Sequence, residues 1–206
     1  RQMCIRDSYW LTLGVVGPAS GAEQVQRAIH KVIGVNIPEG WDNQLDNELT
    51  FAVANERLYR LTDGLFSNGW EYDVVGVSEL MAGTLRSEVG AGFGLRFGRS
   101  LQHSFPAASL VPGRNVNPLA ASLRHEWHLF ANLYARYVFN DITLDGTYFR
   151  DSHSVELTNE QGFVTVGGAW HNRNWGVVVS VQESTRTFEE RRENTLFASF
   201  SLTFRI

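Results

Sequence analysis

The chain has 206 residues, of which 43% are apolar, 19% charged and 12% aromatic, with 19 glycines. That composition fits one large ordered domain or one barrel and excludes a disordered chain. A net charge of −4 argues against a nucleic-acid partner, the single cysteine, Cys4, excludes an internal disulfide and a thiolate metal cage, and no apolar run is long enough for a transmembrane helix, which does not bear on membrane-crossing strands.

The opening RQMCIRDS has no strand period and no signal-peptide pattern, so residues 1–8 read as a non-native leader and 9–206 as a single domain. A strand is expected at 9–16. Residues 20–34 switch to a helical period. Ser20 and Glu23 have capping-box spacing, Gly34 can end the helix, and Val25, Ile29, Val32 and Ile33 fall on one stripe. Gln26 and His30, four apart, sit side by side at the border of that stripe. Arg27 and Lys31, the only lysine, point to the far side. One helix is therefore predicted near 21–33.

The remainder alternates with period two. Strands are expected at 44–57, 71–83, 86–98, 123–139, 162–171, 175–187 and 196–206. In the last of these Leu196, Ala198, Phe200, Leu202, Phe204 and Ile206 share one face. In the fourth, Val89, Ala91, Phe93, Leu95 and Phe97 alternate with Gly90, Gly92, Gly94, Arg96 and Gly98. Several strands reach the ten or so residues that a tilted strand needs to cross a bilayer. The turn HNRN at 171–174 is short and flanked by Trp170 and Trp175, where an aromatic girdle would lie. A soluble sandwich or lipocalin-like barrel alternates as well, and the pattern alone supports both equally.

Gln26 with His30 is the leading chemical constellation. Histidine changes charge nearest neutral pH, so one held in a seam against a barrel wall can take a proton from water, with Gln26 holding its ring or a substrate carbonyl. A polar edge on an amphipathic loop helix is the commoner meaning of this spacing. Gln44, Asp46 and Glu48 are expected on one strand face, lining a polar lumen in preference to ligating a hard cation. On a strand His125 and His128 face opposite sides and cannot share a metal. The Gly90, Gly92 and Gly94 run does not open a helix and is no phosphate loop, and no G-x-S-x-G elbow occurs. The charges of 183–193 read as a solvated, self-paired loop rather than a phosphate site.

LGVVGP at 13–18, Q-x-x-x-H at Gln26 and His30, GWDNQLDNE at 40–48, LDGTYFRDSHSV at 144–155 and TRTFEE at 185–190 resemble the outer-membrane lipid A deacylase family from about residue 9 to the C-terminus. The resemblance implies an all-β, antiparallel outer-membrane barrel of twelve strands in a Gram-negative bacterium, about eight of them present here. It implies a calcium-dependent esterase that removes the 3′-linked acyl chains of lipid A, working as a monomer among outer-membrane lipids and lipopolysaccharide. His30 would activate water with Gln26 beside it. Lys31, Gln44 and Glu48 would bind substrate or line the lumen. The family's metal-side Asn-Asp strand has no match here, so the metal ligands are expected on strands missing before Tyr9, the barrel is expected to be incomplete on that side, and the fragment alone is expected to be inactive. The competing functions are a non-enzymatic outer-membrane barrel, either channel or structural, and a soluble barrel that binds an apolar ligand.

Overall fold

The computed structural model describes residues 5–101, 105, 110–112, 125–149, 152–191 and 193–205. Eight strands make one antiparallel sheet in sequential order. They are β1 (Ile5–Val16), β2 (Glu48–Leu65), β3 (Glu71–Gly83), β4 (Arg86–Arg99), β5 (Glu126–Asp141), β6 (Glu160–His171), β7 (Trp175–Ser184) and β8 (Thr195–Phe204). The single α-helix, α1 (Ala22–Ile33), lies in the connection between β1 and β2. All eight expected strands and the helix are present. Residues 123, 124 and 206 of the expected strands lie outside the described residues.

The first two strands differ most from expectation. β1 begins at Ile5, because residues 5–8, though without a strand period in sequence, continue the ladder with Glu56 to Tyr59. β2 begins at Glu48 rather than 44 and runs on to Leu65. A 3-10 turn at Trp41–Asn43, entered through Gly40 at φ 97°, precedes it. The Asn47 side chain is then taken up by the backbone N–H of Ala19 at 2.6 Å. Gly17, at φ 84°, lies so close to the Asp46 backbone that a Cβ there would meet it at 2.6 Å. The base of the helix-bearing connection is tied together by these contacts, and residues 44–47 belong to that knot instead of to the strand.

The sheet is curled, and its two faces have opposite chemistry. On the convex face Leu196, Phe200, Leu202 and Phe204 are between 51% and 72% exposed, and Leu49, Leu80, Leu95 and Leu133 stand outward on other strands. The concave face holds Glu56, Asp73, Glu79, Glu88, Arg96 and Asn132, all buried. This is the reverse of a soluble sandwich, which buries its apolar face, and it is the alternation of a barrel that faces lipid outward.

Buried charge on the concave face is matched. Asp73 accepts two hydrogen bonds from Arg96, at 2.9 and 2.5 Å, and lies 3.3 Å from Arg60. Both arginines also donate to the carbonyl of Leu101. Leu101 in turn gives its N–H to Glu71 at 2.8 Å. The chain beyond β4 is thereby drawn inside, where Phe105, Leu110 and Val111 pack with Leu58, Val75, Val77, Tyr134 and Phe163. Further along, Tyr134 donates to Glu79 at 2.8 Å, while Arg136 donates to Gln161 and pairs with Glu88 at 3.2 Å. The glycines of β4 make room for this layer. A Cβ on Gly90 would collide with Tyr134, and one on Gly94 with Asn132.

The two rims differ. One carries α1, the two-residue Thr84–Leu85 turn, and the loops 142–159 and 185–194. The other carries 66–70, 100–125 and 172–174, so short and long connections occur at both rims and are not segregated as outer-membrane barrels usually have them. The rim away from α1 is belted with aromatics. Trp70 stacks on Phe97 at 4.8 Å and meets Trp127 edge-on at 5.0 Å. Trp127 is in register with Trp170, and Trp175 packs on Phe204 at 4.5 Å. This belt contains the expected Trp170 and Trp175 girdle and extends it.

Replacing Asp73 by Ala leaves two buried guanidinium groups facing each other without their shared carboxylate. Loss of one partner of a buried pair costs about 3–5 kcal/mol. The expected result is conversion of the compact, heat-modifiable band to the unfolded band at a clearly lower temperature. An unchanged transition would show that the pair does not hold the concave face together.

Candidate functional site

The polar groups of interest cluster at the α1 rim. Gly21, in left-handed conformation, caps the helix N-terminus, and Gly34, at φ 73°, ends it with its N–H on the His30 carbonyl. The expected Ser20 and Glu23 capping box does not form. Ser20 stands one residue too early and donates to the Gly17 carbonyl at 2.7 Å, while Glu23 turns to Arg27 at 2.7 Å. No residue of α1 is buried, and Val25, Ile29 and Val32 are 60%, 52% and 85% exposed. The apolar stripe is therefore not packed against a described strand. It is exposed in the connection between β1 and β2.

Gln26 and His30 are half-buried on adjacent turns, and Lys31 is exposed. The His30 Nδ1 lies 2.6 Å from the Asn36 carbonyl oxygen. A carbonyl can only accept, so Nδ1 carries a proton in this contact. The neutral ring then presents Nε2 as an unprotonated nitrogen. Sequence reasoning selected His30 but not Asn36, whose role is played by its backbone and leaves no side-chain signal.

Gln44 and Glu48 do not share a strand face. Gln44 caps the 3-10 turn, and Asp46 is exposed. Glu48 is buried, and its carboxylate accepts the backbone N–H groups of Tyr148 at 2.9 Å and Phe149 at 3.2 Å. It is thus a clamp on the 142–159 loop and not a free lumen group. The loop stiffens itself as well, with Ser152 Oγ accepting the Thr147 N–H at 2.8 Å. Among the described residues, 42–46 and the loop residues Ser152 and His153 line an open pocket of about 430 Å³. The structure brings Gln44 into this pocket and leaves His30 on the helix. No hydrogen bond among the described residues joins His30 to Gln26, Gln44 or Glu48.

At the far rim His128 is buried within β5, while His125 precedes the strand and is exposed, so, contrary to expectation, the two do not lie on one strand. Glu126 is in register with His171, and His171 Nε2 lies 3.0 Å from its carboxylate without hydrogen-bond alignment. Sequence reasoning missed this pair, since its members are 45 positions apart and only the β5–β6 register unites them. The 183–194 segment is self-paired, through Arg186 with Glu189 and Asn194 with Glu183. Among the described residues no group of three or more His, Cys, Asp or Glu side chains converges as a metal site.

Glu48→Ala would strip two loop amides of their acceptor. An unsatisfied buried group costs about 1–3 kcal/mol, so the expected outcome is faster proteolysis within 144–155 at an unchanged melting temperature of the strands. Equal protection in the variant would mean that the loop is held by other contacts.

A family model described as "Outer membrane protein LpxR" matches residues 1–206. The solved structure of LpxR from Salmonella typhimurium superposes with a TM-score of 0.84 at 18% identity, covering 98% of this chain and 68% of that one. At that identity the superposition establishes the barrel fold. No curated protein matches the chain significantly. The apolar convex face and aromatic belt thus face the outer membrane of a Gram-negative bacterium, and the resemblance to this family holds over the chain as a whole. The chain belongs to the LpxR family of outer membrane proteins.

Proposed function

We propose that the protein is an outer-membrane esterase that removes 3′-linked acyl chains from lipid A, with His30 as the base that activates water. Family membership supports the lipid A deacylase class. The observation that supports His30 best is its fixed tautomer, with Nδ1 on the Asn36 carbonyl and Nε2 left to accept a proton. In this reading Nε2 takes a proton from water, and the hydroxide oxygen adds to the ester carbonyl. When the C–O bond breaks, the imidazolium returns the proton to the departing sugar oxygen. Gln26, one helical turn away, orients the water or the carbonyl. Lys31, exposed on the outer side of the same helix, meets anionic headgroup charge.

Calcium is part of the proposal as a requirement only. The described side chains offer no convergent ligand set, so no ligands are assigned and no step is drawn through the ion. The readings as a channel or structural barrel leave the ordered His30 contact without a role.

General-base assistance contributes about 10²–10⁴-fold. In outer membranes carrying the protein, His30→Ala is therefore expected to reduce loss of the 3′-linked acyl chain by that factor, read by mass spectrometry of lipid A, with heat-modifiable migration unchanged. Gln26→Ala is expected to lose less, since it removes one hydrogen bond and not the base. An ordinary rate in His30→Ala removes it as the base. Chelation of calcium is expected to abolish acyl release, and undiminished release under chelator removes the ion from the reading.

A further inference from the structure

The rim away from α1 carries charge of one sign, which the chemistry above does not use. Its connections, 66–70, 100–125 and 172–174, contain Arg114, Arg124 and Arg173 and not one Asp or Glu. The connections of the α1 rim hold more Asp and Glu than Lys and Arg. Arg99 ends β4 and Arg205 follows β8, so both add to the far rim. The acidic side chains at the strand ends there are engaged elsewhere. Glu71 accepts the Leu101 N–H, Asp73 is held by Arg96 and Arg60, and Glu126 is buried beside His171. Asp63 is half-buried.

Arg99, Arg173 and Arg205 are exposed, and described contacts place all three. Arg99 continues the outward stripe of β4, in register with Trp127, which is itself in register with Trp170. Its guanidinium lies 5.9 Å from the centre of the Trp70 ring. Arg173 stands in the 172–174 turn, which Asn172 stiffens by accepting the N–H groups of Asn174 at 2.9 Å and Trp175 at 2.8 Å. The Arg205 N–H donates to the Asn174 carbonyl at 2.8 Å, which brings that residue beside the same turn. A belt of tryptophans sits at the level where hydrocarbon gives way to headgroups. Guanidinium groups at that level meet phosphate, whose oxygens their planar donors match in pairs. The surface is continuous with the lipid-facing convex side through Arg99, so its occupant is a lipid. On the esterase reading lipid A lies at the α1 rim, and the far rim then meets the opposite leaflet. We propose that Arg99, Arg173 and Arg205 form a collar that recognises the phosphate of anionic glycerophospholipids. The proposal rests on the esterase reading only for that choice of leaflet.

The test is quenching of tryptophan fluorescence by brominated lipids, with the folded protein reconstituted in phosphatidylcholine vesicles. Trp70, Trp127, Trp170 and Trp175 lie on this rim and report on it. Brominated phosphatidylglycerol is the probe and brominated phosphatidylcholine the reference. Each basic side chain at an anionic surface contributes about fivefold in affinity. The wild type is expected to prefer phosphatidylglycerol by that factor or more at low salt. The preference is expected to shrink at about 1 M salt, where the Debye length falls to about 3 Å. The triple variant Arg99→Gln, Arg173→Gln, Arg205→Gln is expected to lose the preference. The corresponding lysine variant is expected to keep most of it, which separates charge from packing on Trp70. Heat-modifiable migration selects the variants that fold. Arg173→Gln alone, at an exposed turn, is expected to lose about fivefold and decides the matter if the triple variant does not fold. Equal quenching by the two lipids in the wild type, undiminished preference in the folded glutamine variants, or its loss in the folded lysine variant would overturn the collar. So would loss of the preference in inorganic phosphate but not in chloride of equal ionic strength, because the site is then one for a free anion. If His30→Ala releases acyl chains at the ordinary rate while the glutamine variants lose the preference, the esterase reading falls and the collar stands. If His30→Ala is inactive and the glutamine variants keep the preference, the reverse holds.

Discussion

Everything in this chain depends on placing charge on the concave side of a sheet whose convex side faces lipid. In hydrocarbon no water is available to solvate a backbone group, so the strands must pair along their length. The same condition sends Glu56, Asp73, Glu79, Glu88 and Arg96 to one face. Charges gathered there repel or desolvate unless they find opposite partners. Asp73 between Arg96 and Arg60 is the node where this is settled, at distances of 2.5 to 3.3 Å.

That node has consequences beyond its own strands. Arg60 and Arg96 both reach the Leu101 carbonyl, so the ion pair also fixes where the chain goes after β4. Phe105 then lies over Arg60, with the guanidinium 4.8 Å from the ring centre. An apolar cluster thus sits inside a polar concavity without contradiction, because the segment that carries it is delivered by charge. The glycines of β4 belong to the same arrangement. They bring the β4 backbone close enough for the larger side chains of β5 to occupy the shared layer.

Much of this was legible from residue order. Period two marked all eight strands, and the face carrying Leu196, Phe200, Leu202 and Phe204 is the outward face. Periodicity could not say whether that face met lipid or a core, since both hide apolar side chains. The buried charges on the other face decide it. The site was legible only in part. His30 and Gln26 stand out by helical spacing, but the contact that fixes the imidazole is to a backbone oxygen, at Asn36, and any residue supplies one. Gln44 and Glu48 were misplaced because alternation in 44–48 imitates a strand. The Ala19 N–H on Asn47 and the close approach of Gly17 override it, and neither has a periodic signature. The Glu48 clamp, 100 positions from the Tyr148 amide it binds, is beyond any local reading.

The exposed stripe of α1 bears on why a base would be placed there. Val25, Ile29 and Val32 are costly in water, yet no described strand covers them. At the rim of an outer-membrane barrel an amphipathic helix can lie in the interface, with its apolar side toward acyl chains and its charged side toward headgroups. Glu23, Arg27 and Lys31 supply that charged side. His30 and Gln26 lie on the border between the two. A glycolipid ester linkage sits at the same border, since it is the bond that joins chain to sugar. A base on the apolar side would meet only methylenes, and one on the charged side would meet only headgroup and water. On the esterase reading, the stripe sets the depth of Nε2 and the Asn36 carbonyl sets its protonation, so reach and reactivity come from two different parts of the same connection.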